Sequence, residues 1–206
     1  MNSYHFKSAF VVGLLAISVS STAHANLAVN GSFEDSSFGS PGGYTLGLVG
    51  NAVPGWYIPS SDGTYPWGLT NGAFGAFTPY GNQFFVLGEA NTGVEYTIQK
   101  TLTGLTVGLT YNLSFAIASE QGCCAEAEVS YLSGSSTAPQ NFFATNSGAY
   151  WTDWSTQNTS FVADSSTVIF QFKNVNPTSA GLDLGLDNVV ITAVPEPETY
   201  AMLLAG

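Results

Sequence analysis

Carboxylates, two adjacent cysteines and a large set of aromatic rings are the side chains of this 206-residue chain that could do chemistry. Fourteen Asp and Glu face three Lys and no Arg, for a net charge of −11. Both histidines, His5 and His24, precede Asn26. If a leader ending at Ala25 is removed, Ser-His-Asp triads, Cys-His pairs and His-ligated zinc are excluded. Glycoside hydrolysis needs only two carboxylates, and Glu89, Glu95, Glu120, Glu126, Glu128 and Asp153 are nominal candidates. Glu126 and Glu128 alternate with Ala125, Ala127 and Val129, which places them on the solvated face of a strand. Nothing in the pattern pairs an acid of raised pKa with a nucleophile, so the chain reads as a non-enzyme with no catalytic residue.

Cys123 and Cys124 are the only cysteines. An extracellular setting favours their oxidation to a vicinal disulfide that would stiffen a loop between Ser119 and Ala125. Disulfides prefer well-separated Cα atoms, so free thiols and an intermolecular bridge stay open as alternatives. Redox catalysis is disfavoured, because the spacing is not Cys-x-x-Cys and no nearby cation lowers a thiol pKa. Two cysteines are also too few for a structural zinc site.

The aromatics comprise Trp56, Trp67, Trp151 and Trp154 with ten Tyr and fourteen Phe. Ring faces bind the apolar CH faces of sugars, while amides and carboxylates bond the hydroxyls. Trp56 follows Pro54-Gly55 and is expected to plug the core. Tyr65, Trp67 and Tyr80 fall in a Gly/Pro-rich stretch from Ser60 to Asn82 that reads as a surface loop. There they could form a ligand platform. Rings of a large loop also fold inward as a satellite core, and the aromatic richness of the whole chain favours that outcome.

The elements that must position these groups read as strands. Tyr111, Leu113, Phe115 and Ile117 alternate with Asn112 and Ser114, and Val168, Phe170 and Phe172 with Ile169, Gln171 and Lys173. Val94, Tyr96 and Ile98 alternate with Glu95, Thr97 and Gln99, and Ala125, Ala127, Val129 and Tyr131 with Glu126, Glu128 and Ser130. A period of two means strands with one buried face. With Gly-rich turns and no helical periodicity, the expected fold is all-β, an antiparallel β-sandwich or jelly roll. Only 8% of residues are charged and 45% are hydrophobic, which excludes a highly charged disordered chain. The scarcity of cations excludes nucleic-acid binding through a basic surface.

Residues 1–25 read as a secretory signal peptide: Lys7, an apolar run from Ala9 to Val19, and Ala23-His24-Ala25 as a small-x-small cleavage site. The β-sandwich domain is expected over 26–194, and a tail over 195–206. In that tail Pro195-Glu196-Pro197 cannot continue a strand. Followed by an apolar stretch from Tyr200, it resembles the PEP-CTERM sorting signal of exosortase-processed bacterial proteins. This resemblance implies export to the cell surface or extracellular matrix and an exosortase-type processing machinery as partner. The apolar stretch runs only to Gly206, short of the roughly 20 residues of a spanning helix. Membrane contact is therefore expected to be transient, or to depend on a helix beyond Gly206.

Asn30-Gly31-Ser32-Phe33-Glu34, then Pro54-Gly55-Trp56, then Gly185-Leu186-Asp187-Asn188-Val189 resemble in order the motifs of galactose-binding-like jelly rolls and related carbohydrate-binding modules. In that likeness Asn26 to Glu34 is the opening strand. The resemblance implies polysaccharide as a ligand and one structural Ca²⁺ where the first and last strands approach, held by Glu34 and Asp187. Hard oxygen donors suit that ion. The other reading of Glu34 and Asp187 is that they cap local backbone donors at turns. The expected function is a secreted, non-enzymatic surface or matrix protein that binds glycan or exopolysaccharide. A purely structural matrix protein and a carboxylate-dependent glycan-active enzyme are the alternatives.

Overall fold

The computed structural model describes residues 25–35, 41–45, 47–59, 68–88, 96–121, 123–148, 150–176 and 182–195, with backbone alone at Cys123 and Cys124. The alternating segments form strands as expected. They are β1 (Gly43–Tyr44), β2 (Gly68–Asn71), β3 (Phe84–Leu87), β4 (Tyr96–Thr103), β5 (Thr110–Ser119), β6 (Cys123–Ser133), β7 (Gln140–Thr145), β8 (Ser155–Val162), β9 (Thr167–Asn174) and β10 (Leu184–Ala193). Among the described residues the one helical element is a 3-10 turn, Ala73–Gly75. No helix there is long and apolar enough to cross a membrane.

The strands pair antiparallel into two sheets, one in the order β1-β2-β3-β10-β5-β8 and the other β4-β9-β6-β7. Each sheet turns one set of alternate residues inward. Leu113, Phe115 and Ile117 of β5 thus meet Phe170 and Phe172 of β9 in one core, with Phe115 and Phe172 edge to face at 5.0 Å. Burying rings of this size supplies about 1.5–3 kcal/mol each, which is what makes the two-residue period decisive. The chain is an antiparallel β-sandwich, and β10 lies at the centre of its larger sheet.

Three local expectations are corrected. Asn26 to Glu34 is not a strand but a run of turns laid along β10. Leu27 donates to the Ile191 carbonyl at 2.9 Å and Val189 to that of Gly31 at 2.8 Å, while Asn30 and Phe33 take φ 53° and 59°, which a strand cannot contain. The stretch from Ser60 to Asn82 is not one loop, because it contains β2, paired with β3 from Gly68↔Val86 to Thr70↔Phe84. A four-residue strand between glycines is too short to display alternation. Cys123 and Cys124 do not lie in a loop either, since their backbone belongs to β6, at a bulge between Cys123 and Ala125. Their side chains, and hence the disulfide, lie outside what is described, as do Glu196, Pro197 and residues 1–24. Ahead of that tail, β10 ends at Ala193, Val194 donates to the Thr110 carbonyl at 2.8 Å, and Pro195 follows.

Candidate functional site

The three motifs converge on one corner of the sandwich. Asn30, held in the left-handed region that Asn tolerates, donates from Nδ2 to the Pro54 carbonyl at 2.9 Å and accepts at Oδ1 from the Asp35 amide at 3.0 Å. Its own carbonyl accepts from Trp56 Nε1 at 2.9 Å. Trp56 is buried against Phe33 at 5.1 Å, as the Pro-Gly-Trp reading expected. Gly31 is required because a Cβ there would collide with the Val189 carbonyl oxygen on β10. Lys100 turns inward from β4 beneath this corner, donates to the Val29 carbonyl and, at 2.8 Å, to that of Gly55, and lies 4.8 Å from the Trp56 ring centroid. Burial pushes its pKa down to about 8.

The two candidate metal ligands meet in the same corner. Glu34 Oε1 accepts from the amides of Asn82 at 2.8 Å and Gln83 at 2.9 Å, and Oε2 from Asn82 Nδ2 at 3.3 Å. Asp187 has no exposed surface. It accepts from the Thr78 hydroxyl and, at 2.6 Å, from the Asn188 amide across the β10 bulge. Burial pushes its carboxyl up to about 7, hydrogen bonds from Thr78 and Asn188 pull it down, and the Glu34 charge adds to the upward push. A buried carboxyl repelled by a second carboxylate fits a cation, which would relieve both costs. Among the described residues no three His, Cys, Asp or Glu cluster, so a hard ion here would complete its shell with carbonyl and hydroxyl oxygens. The backbone-capping reading is met at the same time, because every carboxylate oxygen of the pair has a donor.

A second apolar cluster lies on the outer face of the larger sheet. Ala76, Phe84, Val86, Ala118 and Trp151 are buried there, with Tyr150 and Trp154 packed against them. Gly185, in β10, makes the seat: a Cβ would come within 2.9 Å of Trp151, 3.0 Å of Trp154 and 3.3 Å of Phe84. From this seat rings run in both directions. Phe84 meets Trp154 at 5.0 Å and Trp154 meets Tyr80 at 6.4 Å. Trp151 meets Tyr150 at 5.9 Å, Tyr150 meets Phe74 at 6.0 Å and Phe74 meets Tyr44 at 5.3 Å. Phe74 and Phe77 are 64% and 69% exposed, far more than isolated packing would leave.

Two turns hold the rings in place. Trp154 Nε1 donates to the Phe77 carbonyl at 2.9 Å, tying 150–154 to the segment after the 3-10 turn. Asn146 donates from Nδ2 to the Ser119 and Glu120 carbonyls and accepts at Oδ1 from Gly148 and Thr152, fixing the turn that delivers Trp151 at φ 49°. Under the ring line opens a pocket of about 220 Å³.

Of the predicted ligand residues, Tyr80 joins this face, its hydroxyl 3.1 Å from Thr156 Oγ1, whereas Tyr65 and Trp67 lie outside the described residues. Sequence reasoning gave no role to Tyr44, Phe74, Phe77, Trp151 or Trp154. The usable signal was Tyr150-Trp151-x-x-Trp154 in a Gly/Ser/Asn-rich turn opposite a strand glycine. Glu128 lies 3.9 Å from Lys173, Glu126 accepts from Asn141 at 2.7 Å, and Asp153 is held below the usual range by bonds from Ser147. Glu89 and Glu95 lie outside the described residues.

No family model matches this chain. Halomucin from Haloquadratum walsbyi (strain DSM 16790 / HBSQ001) is 29% identical over 194 residues, which cover 91% of this chain and 2% of halomucin. The chain thus spans about 2% of the length of the curated relative it matches. Among solved structures, TmCBM61 in complex with β-1,4-galactotriose superposes with a TM-score of 0.52 at 14% identity, over 82% of this chain and 99% of that one. A proposed sugar-binding protein from Bacteroides thetaiotaomicron VPI-5482 superposes with a TM-score of 0.53 at 11% identity, over 82% and 100%. At these identities the likeness is one of fold: the chain shares the jelly-roll sandwich of carbohydrate-binding modules.

Proposed function

We propose that this domain is a non-catalytic glycan-binding module of an exported surface or matrix protein, with polysaccharide as its partner. The observation that carries this reading is the line of rings across the outer face of the larger sheet, which includes the exposed Phe74, with the exposed Phe77 on the segment that Trp154 Nε1 holds. Rigid, exposed, preformed aromatic surface flanked by hydroxyls and amides suits the alternating CH and OH faces of a sugar chain. The fold shared with TmCBM61, whose structure contains β-1,4-galactotriose, supports the same reading. The test is retention on insoluble and gel-embedded polysaccharides by the protein and by its F74A/F77A double variant. Retention lost in the variant is the expected result; no retention of the unaltered protein on any polysaccharide overturns the reading.

Two further parts of the reading concern ion and address. Glu34 and Asp187 are proposed to hold one structural Ca²⁺, supported by the buried Asp187 carboxyl beside a like charge. EDTA should then lower the melting temperature and Ca²⁺ restore it. Pro195-Glu196-Pro197 is proposed to act as an exosortase-read sorting motif, supported by its place directly after the last strand. Export in an exosortase-bearing host should yield a processed surface form, and replacement of the motif should abolish that processing.

A further inference from the structure

We propose that Asn112 and Asn158 are N-glycosylation sites, so that this domain carries covalent sugar on the outer face of its larger sheet, apart from any glycan it binds. This rests on the reading of the chain as exported. The acceptor tripeptide Asn-x-Ser/Thr, with x other than Pro, occurs three times: Asn30-Gly31-Ser32, Asn112-Leu113-Ser114 and Asn158-Thr159-Ser160. Asn176-Pro177-Thr178 is barred by its proline.

The tertiary structure sorts the three. The Asn30 carboxamide is committed at both ends, to the Pro54 carbonyl and the Asp35 amide, and a sugar on its Nδ2 would crowd the turn that Trp56 closes. The other two tripeptides lie directly across from each other. In the antiparallel pair of β5 and β8, Asn112 faces Ser160 and Ser114 faces Asn158. Ala118 belongs to the outer cluster, and a period of two along β5 puts Ser114 and Asn112 on that same outer face. Asn112, Asn158 and Ser160 are exposed and border an open hollow of about 410 Å³. Among the described residues no hydrogen bond engages the carboxamide of Asn112 or Asn158. Each Nδ2 can therefore carry a bulky group without a bond being lost.

Such a group would also protect the sheet. β8 is the outermost strand, eight residues long with neither a charge nor a proline, so its edge lacks the usual guards against pairing with another chain. A hydrated glycan on Asn158 would overhang that edge. The modification itself is a group transfer. Its donor is an oligosaccharide joined through C1 to a lipid-borne phosphate, and its catalyst a membrane oligosaccharyltransferase. Asn Nδ2 forms a bond to C1, the C1–O bond to phosphate breaks with its electron pair on the phosphate, and the proton lost from Nδ2 leaves with that phosphate.

Peptide-fragmentation mass spectrometry of the protein recovered from the cells that export it tests this. Sugar should be found on Asn112 and Asn158, and none on Asn30. S114A should strip Asn112 and S160A should strip Asn158, although each variant keeps its acceptor. S114T and S160T should keep the sugar, a pattern that misfolding cannot produce. An unmodified Asn112 or Asn158 overturns the paired assignment, and so does sugar on Asn30, sugar on Ser in place of Asn, or sugar retained in S114A and S160A. If the exported protein is bare at both positions, the modification falls and the export reading stands. If the chain keeps residues 1–25 and stays inside the cell, both fall.

Discussion

The motif corner and the aromatic face are built from the same kinds of residue and work in opposite ways. At the corner, the side chains of Asn30, Glu34 and Asp187 are taken up by hydrogen bonds to nearby turns, and Gly31 lets the backbone of the opening segment touch β10. At the face, Gly185 opens room above β10 instead, three rings fill it, and Trp151 Nε1 and Thr45 Oγ1 are left without partners. Satisfied groups hold a structure together; unsatisfied ones beside exposed rings are what a ligand can use. The motif density of a region therefore measured its structural constraint rather than its availability for binding.

Breaking each glycine separates the two regions most sharply. G31A drives a Cβ into the backbone oxygen of Val189, where no side chain can yield, and should cost about 4 kcal/mol or more, measured by chemical denaturation. Glycan retention should then vanish only together with the folded state.

Acid–base titration of the corner comes next. With calcium chelated, the folded-state pKa of Asp187 at about 7 lies above its unfolded value near about 3.9, so the fold favours the protonated carboxyl. Stability from this group is fully present below about pH 4 and is lost as pH rises through about 7, by about 4 kcal/mol at most. Denaturation midpoints should fall over that interval, and D187N should flatten the profile. Added Ca²⁺ should oppose the fall, because it binds the charged form. A midpoint that rises from pH 4 to 7 in chelator would break the contrast, since the corner would then hold its carboxylate without cost.

At the face the effects are smaller and divide differently. G185A meets side chains rather than backbone, so Trp151, Trp154 and Phe84 must shift, at about 1–3 kcal/mol. Polysaccharide retention should drop while the domain stays folded. F74A/F77A removes exposed rings and should change stability by less than about 0.5 kcal/mol, so that any loss of retention reports on binding alone. Equal losses of stability in G31A and G185A would erase the distinction between the regions.

Much of the sandwich was legible because strand alternation is a local property. Tyr111 to Ile117, Val168 to Phe172 and Ala125 to Val129 each announce a buried face within a few residues, and Trp56 after Pro-Gly reads as core for the same reason. What misled was also local. The Asn30 motif looked extended because side-chain types do not reveal a positive φ, and β2 was hidden in a glycine-rich stretch too short to show a period. Of the candidate ligand rings, Tyr80 alone among the described residues lies on the aromatic face, and it does so through Trp154 and Thr156, far along the chain.

The order of residues by itself determined an all-β chain, poor in cations, with Trp56 inside and Glu34 and Asp187 at marked positions. Burial of alternate side chains is decided strand by strand, so a linear pattern suffices for it. Only the tertiary structure decided which rings would share the outer face. Phe84, Trp151 and Trp154 meet because β10 pairs with β3 on one side and β5 on the other, bringing Gly185 beneath all three, while Asn146 turns the chain back over the sheet. Those contacts depend on strand register and on a single missing Cβ, and neither is written in the spacing of the residues that they join.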